Sequence, residues 1–182
     1  DGDWSSDVAL PIYHCYNRDM MALLRMVREG VFGELLHCQG GYQHDLRQRL
    51  VLGKGSNPAE KGLGDFRTEE NEKRNADLYP THAVGPLAEM LNINRGNRFM
   101  SLSSFATKAR GLSEWVAENL EPDHPAHKRN WREGDIVTTV ITCANGETVV
   151  LNHDVSLPRP RTDNRRVHGT KAIWMEDTNG IH

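Results

Sequence analysis

Apolar and polar positions follow two different periods along this chain, and the periods separate an early helical part from a late strand-rich part. Residues 8 to 16 read as a strand or buried extended segment. Asn17 stands where an N-cap belongs, ahead of a helix with Met20, Leu23, Leu24 and Val27 on one face. Gly30 marks its C-terminal stop. Residues 35 to 44 then alternate as a strand with Leu36, Cys38, Gly40, Tyr42 and His44 on one side. Tyr42 and His44 therefore project together from the strand's C-terminal end. Residues 47 to 75 are polar, Gly-rich and aperiodic, the pattern of a lid, a binding loop or a disordered segment.

The helical period returns with Val84, Leu87, Ala88 and Leu91. Pro86 fits only a first turn, so this helix is predicted to start near Ala83. Residues 99 to 107 read as a strand, Leu112, Trp115 and Val116 as a short helix, and 121 to 134 as a second polar loop. Alternating β-branched residues from Asp135 to Cys143 and from Glu147 to Asn152, around Ala144-Asn145-Gly146, predict a hairpin. A Pro-rich loop (157 to 161) leads to a last strand pair near 165 to 176. There is no regular βαβ alternation and no internal repeat. The fold class is α+β: an open, mainly antiparallel or mixed sheet with helices packed on one face.

Composition narrows the function classes without naming one. The 182 residues amount to a single domain, 1–182. Lys plus Arg is 22 against 25 Asp plus Glu, a net charge of -3, which lacks the basic excess of a nucleic-acid binder. No apolar run approaches the ~20 residues that cross a bilayer. Cys15, Cys38 and Cys143 are odd in number and form no CxxC, so they read as small buried hydrophobes. Asp1 in place of Met, and an end just after an apparent strand, read as a fragment of a longer protein.

Three patterns bear on chemistry. Gly53-Lys54-Gly55 and Gly62-Leu63-Gly64 sit in a polar loop rather than between a strand and a helix, which fails the dinucleotide test. His44-Asp45, His82 and His153-Asp154 contain three imidazoles with carboxylates, but no helical HxxxH supports them, and the reading is no metal site. Tyr79-Pro80-Thr81-His82 is the richest segment. Pro80 restricts Tyr79 to an extended backbone, and His82 stands at a helix start that favours a neutral imidazole. A phenol and an imidazole converging there suit proton transfer at sugar hydroxyls and adjacent C–H bonds. The alternative is a core tyrosine beside a capping histidine.

Residues 75 to 86 (NADLYPTHAVGP), followed by Leu91-Asn92-Ile93-Asn94-Arg95-Gly96, resemble the C-terminal domain of Gfo/Idh/MocA proteins. The resemblance is closest to the NAD-dependent glycosidases of glycoside hydrolase family 109. Residues 26 to 34 (MVREGVFGE), 41 to 47 (GYQHDLR), 152 to 154 (NHD), Pro158-Arg159-Pro160 and 169 to 176 (GTKAIWME) agree in order. Only 48 to 66 and 113 to 133 fall outside it. The resemblance implies a Rossmann domain elsewhere that holds NAD, with this chain as the open-sheet half that covers a carbohydrate and forms a homo-oligomer through that sheet. It also implies hydrolysis by oxidation at C3, loss of the C2 proton, elimination of the aglycone, water addition and re-reduction. Carried over by position, Tyr42 contacts the sugar and Arg67 binds substrate. Tyr79 touches sugar and nicotinamide, and His82 lies beside the C3 hydroxyl. His82, Tyr79 and Tyr42 are the catalytic candidates. Arg161 stands where the family has a tyrosine, which alters size and charge over the sugar; the departure implies either selection of an acidic or differently substituted sugar or loss of N-acetylgalactosamine activity. Residues 11 to 16 (PIYHCY) also depart, at Tyr13, from a family segment near the cofactor.

Two further readings compete with a glycosidase. One is an NAD(P)-dependent sugar dehydrogenase, which the same fold and histidine serve. The other is a non-catalytic sheet module for oligomerisation. The chain alone, without a cofactor domain, is expected to be inactive. The resemblance implies a periplasmic or exported protein of a Gram-negative bacterium, with a cytoplasmic protein as the alternative; the cysteines fit either.

Overall fold

The computed structural model describes residues 14–53 and 66–182. Helix α1 (Arg18–Arg28) follows Asn17 and buries Met20 and Leu23, the face its spacing predicts. It stops at Glu29 and Gly30, where Gly30 takes φ 75°, a left-handed conformation glycine adopts freely. The predicted extended segment 8 to 16 lies mostly outside the described residues; His14 to Tyr16 form a turn.

Strand β1 (Leu35–Gln43) is followed by α2 (Arg47–Leu52), α3 (Phe66–Lys73) and α4 (Thr81–Met90). Both α2 and α3 fall in the stretch predicted as loop. Helix α2 buries Leu50, Val51 and Leu52 in succession, so no single face shows a period. Helix α3 is held by polar contacts. Thr68 Oγ1 donates to the Leu50 carbonyl at 2.6 Å, and Lys73 pairs with Glu69 one turn back at 2.9 Å.

Helix α4 begins at Thr81 rather than Ala83, with Pro86 inside it. A proline there removes the N–H that the carbonyl of His82 would accept, and the Arg165 guanidinium donates to that carbonyl instead at 3.4 Å. The helix then continues to Met90 across β1. Gly40 permits the approach: a Cβ at that position would lie 2.8 Å from the Ala83 Cβ.

The remaining elements are β2 (Phe99–Ala106), α5 (Gly111–Asn119), a 3₁₀ turn (Pro125–Lys128), β3 (Ile136–Cys143), β4 (Thr148–Asp154), β5 (Arg166–Gly169), β6 (Ile173–Met175) and β7 (Gly180–Ile181). One seven-stranded sheet results, in the order β2-β3-β4-β1-β5-β6-β7. Only the central β1–β4 pair among these strands is parallel, so the sheet is mixed and mainly antiparallel. The predicted β3–β4 hairpin is present, with Gly146 at φ 97°.

Two apolar clusters hold the layers together. Cys38, Ile141, Val149, Leu151, Val167 and Trp174 of the sheet meet Met20 and Leu23 of α1 and Ala83, Leu87 and Met90 of α4. Leu50, Val51 and Leu52 of α2 pack with Leu112 and Val116 of α5, Trp131 and Val155 in the second cluster. Cys38 and Cys143 are buried and unbonded, and burial pushes the Cys38 thiol up to about 12, so both act as apolar groups. In β3 the residues facing α1 and α4 are buried, while Thr138, Val140 and Thr142 on the other side are more accessible. The helices cover one face and leave the other open.

Candidate functional site

The C-terminal end of β1, the start of α4 and helix α3 converge on one ring cluster. Strand parity aims Tyr42 and His44 the same way, and their rings meet edge to face at 4.7 Å between centroids. The turn before α4 brings Tyr79 to 4.7 Å from Tyr42, and His82 to 4.9 Å from Tyr42 and 4.8 Å from Tyr79. The Arg67 guanidinium of α3 lies 5.2 Å from the centre of the Tyr79 ring, a cation–π distance. Tyr42, Tyr79 and His82 are half-buried, so none is sealed in apolar packing.

A cavity of about 150 Å³ opens beside them. Tyr42, Arg67, Tyr79 and His153 line it, with Leu46 and Phe66 among its apolar walls. Apolar and aromatic walls with a few convergent polar groups are the usual make-up of a small-molecule pocket. His82 is joined to it through ring contacts with both tyrosines.

Electrostatics act on His82, Tyr42 and His44. Burial lowers His82 to about 4, with the nearby His14, Arg165 and Arg161 pushing the same way and Asp163 opposing. Its imidazole is therefore neutral near pH 7, through burial and facing cations rather than through the helix start alone. Burial raises Tyr42 above the ordinary phenol value, against the pull of Arg67, Arg49 and Arg161. Burial, then Arg161, lowers His44.

The sequence-predicted residues divide by position. Tyr42, Arg67, Tyr79 and His82 come together. Arg161 is exposed, one residue before the bridge between Thr162 and Gln43, and acts on the cluster as a rim charge rather than as part of the cavity lining. His44, His82 and His153 all touch the ring of Tyr42, which fills the space between them. Among the described residues no cluster of three or more side chains could hold a metal ion.

Several residues at the site carried no functional signal in the sequence. His14 stands edge-on to His82 at 4.6 Å and lies 2.8 Å from Asp163 and 2.6 Å from Arg165. Arg165 also pairs with Asp163. Asp77 and Glu133 flank His153. These contacts join positions far apart in the chain, which no local spacing reveals.

Comparison with known proteins adds three findings. The family model for "Glycosyl hydrolase 109, C-terminal domain" matches residues 16–182. A glycosyl hydrolase family 109 protein of Stenotrophomonas maltophilia (strain K279a) is 49% identical over 179 residues, covering 92% of this chain and 39% of that protein. An alpha-N-acetylgalactosaminidase of Tannerella forsythia is 47% identical, covering 92% of this chain and 38% of that protein. The chain thus spans under two fifths of the length of these relatives. Among solved structures, myo-inositol dehydrogenase from Lactobacillus casei, in complex with NAD(H) and myo-inositol, superposes with a TM-score of 0.59 at 12% identity, over 91% of this chain and 38% of that one. A probable dehydrogenase from Thermotoga maritima gives 0.58 at 10% identity, over 90% of this chain and 39% of that one. At such identities the likeness is one of fold.

Proposed function

This chain belongs to the glycosyl hydrolase 109 family as its C-terminal domain, with the fold of the C-terminal domain of Gfo/Idh/MocA oxidoreductases, and from that premise we propose that it is the sugar-covering half of an NAD-dependent glycosidase acting on α-N-acetylgalactosaminides. The observation that carries the reading is the neutral His82 held within 5 Å of two phenol rings beside a cavity. The donor set fits such a cofactor: Tyr79 and His82 offer flat faces and an uncharged base, and the dinucleotide-binding turn is assigned to polypeptide outside this chain. When bound, the dinucleotide supplies a hydride acceptor and donor at the sugar C3.

Within that arrangement His82 accepts the proton of the C3 hydroxyl. A histidine already protonated at neutral pH has no lone pair to offer, so its lowered pKa keeps the base in its working form. Tyr42, held as a neutral phenol by burial, donates a hydrogen bond to sugar oxygens. In this reading either Tyr42 or Tyr79 stands near the C2 proton of the sugar, and Tyr79 also touches the nicotinamide. Arg67, stacked near Tyr79, presents a planar fork to paired acceptors on the substrate. Net hydrolysis by elimination and addition needs no pair of carboxylates flanking the glycosidic bond.

A second reading, a sugar dehydrogenase, is favoured by the fold likeness to inositol dehydrogenases. The full-length protein distinguishes the two. Release of p-nitrophenol from p-nitrophenyl α-N-acetylgalactosaminide, without accumulation of NADH, is the expected result. NADH accumulating from free sugar, with no aglycone release, would overturn the glycosidase in favour of the dehydrogenase.

A further inference from the structure

Behind the phenol pair lies a group that the reading above leaves unused. His153 of β4 is 3% exposed, and its ring stands 5.9 Å from that of Tyr42. Its Nδ1 is 3.2 Å from Asp77 Oδ1, and its Nε2 is 3.2 Å from Glu133 Oε1. The same Asp77 oxygen accepts the backbone N–H of Tyr79 at 3.0 Å. Glu133 is anchored through its own N–H, which donates to the Asn71 carbonyl at 3.0 Å. The neighbouring Gly134 N–H donates to Asn75 Oδ1 at 2.9 Å. The imidazole thus ties β4 to the segment that leads into Tyr79 and to the loop before β3.

The charge balance of this trio is unusual. Two carboxyl groups share one imidazole, and the Glu133 side chain is 3% exposed. The Nε2 contact is close but poorly aimed, so neither Glu133 oxygen accepts a hydrogen bond among the described residues. No lysine or arginine pairs with Asp77 or Glu133 there either. Asp135, on Glu133's own loop, adds a further negative charge, Asp154 of β4 is bound by Arg159, and Arg67, Glu70 and Arg74 of the α3 side line the cavity beyond Asp77. An ionised carboxylate buried without a donor is costly, and retaining a proton removes most of that cost.

We infer that His153, clamped by Asp77 and Glu133, is the positioning residue for the Tyr42–Tyr79 wall of the pocket, and that the clamp holds one exchangeable proton on which the seating of the sugar depends. The sugar-seating part rests on the function proposed above. Burial pushes Glu133 up to about 7; His153 opposes the rise, and Asp77 and Asp135 add to it. Below that pH the trio holds its extra proton. Above it, a second carboxylate charge faces Asp77 from across the imidazole, and Asp77 is the group that accepts the Tyr79 backbone N–H.

Two measurements test this, and they read different pH windows. In folding, Glu133 rises from about 4.5 in the unfolded chain to about 7 in the folded one. Its contribution to stability is therefore complete below about pH 4.5, falls as pH rises to about 7, and is constant above. Melting of the 182-residue chain is expected to show Glu133→Gln gaining several degrees on the wild type between pH 5 and pH 7.5. Parallel melting curves would overturn the buried proton. In the full-length enzyme the expected result is a KM for the aryl α-N-acetylgalactosaminide that rises at least about fivefold from pH 6 to pH 8 in the wild type, at nearly constant kcat, and stays flat in Glu133→Gln. Asp77→Asn keeps an acceptor for Tyr79 but removes a charge, so it is expected to move the KM inflection to lower pH. A KM inflection unchanged in both variants would overturn the positioning role. An inactive full-length wild type would count against the glycosidase alone, since melting still reads the proton.

Discussion

At the scale of single residues, the lowered pKa of His82 gives its proposed role as base a direct test. Burial and nearby cations lower it to about 4, so if it is the base, the acid limb of kcat/KM in the full-length enzyme is expected near pH 4. An ordinary histidine would place that limb near 6.5. The same shift enters stability with a fixed sign. Between pH 4 and 6.5 the unfolded chain binds a proton at His82 that the folded chain does not, so its contribution to stability rises with pH across that window. His82→Ala in the full-length protein is expected to slow turnover at least ~100-fold and to remove the limb near pH 4. A near-normal rate would take His82 out of the mechanism. Much of this site was legible in the sequence. Strand parity placed Tyr42 beside His44, and Pro80 fixed the approach of Tyr79 to a helix start. Glu133 and His14 were not legible. A glutamate in a polar loop reads as solvated, and its burial depends on Asn71 and Asn75 holding that loop from another part of the chain.

At the scale of elements, the distance between α4 and β1 sets where His82 stands, because Ala83 is its neighbour and packs directly over Gly40. Gly40→Ala would bring a methyl to 2.8 Å from the Ala83 Cβ, inside the normal contact distance. The helix must lift or the strand must bend, at about 1–3 kcal/mol for overpacking of this kind. Urea unfolding of the 182-residue chain is expected to show that loss in Gly40→Ala and partial recovery in Gly40→Ala/Ala83→Gly, which empties the opposing position. Equal midpoints for wild type and single variant would mean that the helix does not bear on the strand there. Helices with one apolar face, such as α1, could be placed from periodicity. Helix α3 could not: its buried residues are Thr68, which donates to the Leu50 carbonyl, and Asn71, whose carbonyl accepts the Arg132 and Glu133 N–H groups, so what seats it is hydrogen bonding rather than an apolar stripe. The sequence starts helix α4 two residues late because a proline inside a helix is normally excluded, and here Arg165 takes over the carbonyl that Pro86 leaves free.

At the scale of the whole molecule, the sheet poses a problem that local pattern cannot settle. The β3–β4 hairpin follows from Asn145-Gly146, but the parallel β1–β4 pair joins His37–Gln43 to Thr148–Asp154, and neither strand's alternation names its partner. That central pairing leaves β1 and β4 flanked on both sides and puts β2 at an edge. On the side away from the helices, Phe105 faces Thr138 and Val140 faces Val150, and Phe105 is 69% exposed. β-Branched and aromatic side chains on an uncovered face stay in water unless another layer covers them. The proposed occupant is a second copy of the same sheet, face to face, which satisfies both chains by one self-complementary contact. Light scattering of the purified chain is expected to give twice the mass of one chain. Phe105→Lys and Val140→Lys, each placing a charge on that face, are expected to return the monomer with its melting transition intact. A monomeric wild type, or lysine variants that stay dimeric, would show that this face is not the contact. In the first case the apolar side chains of β2 and β3 would require a different covering partner.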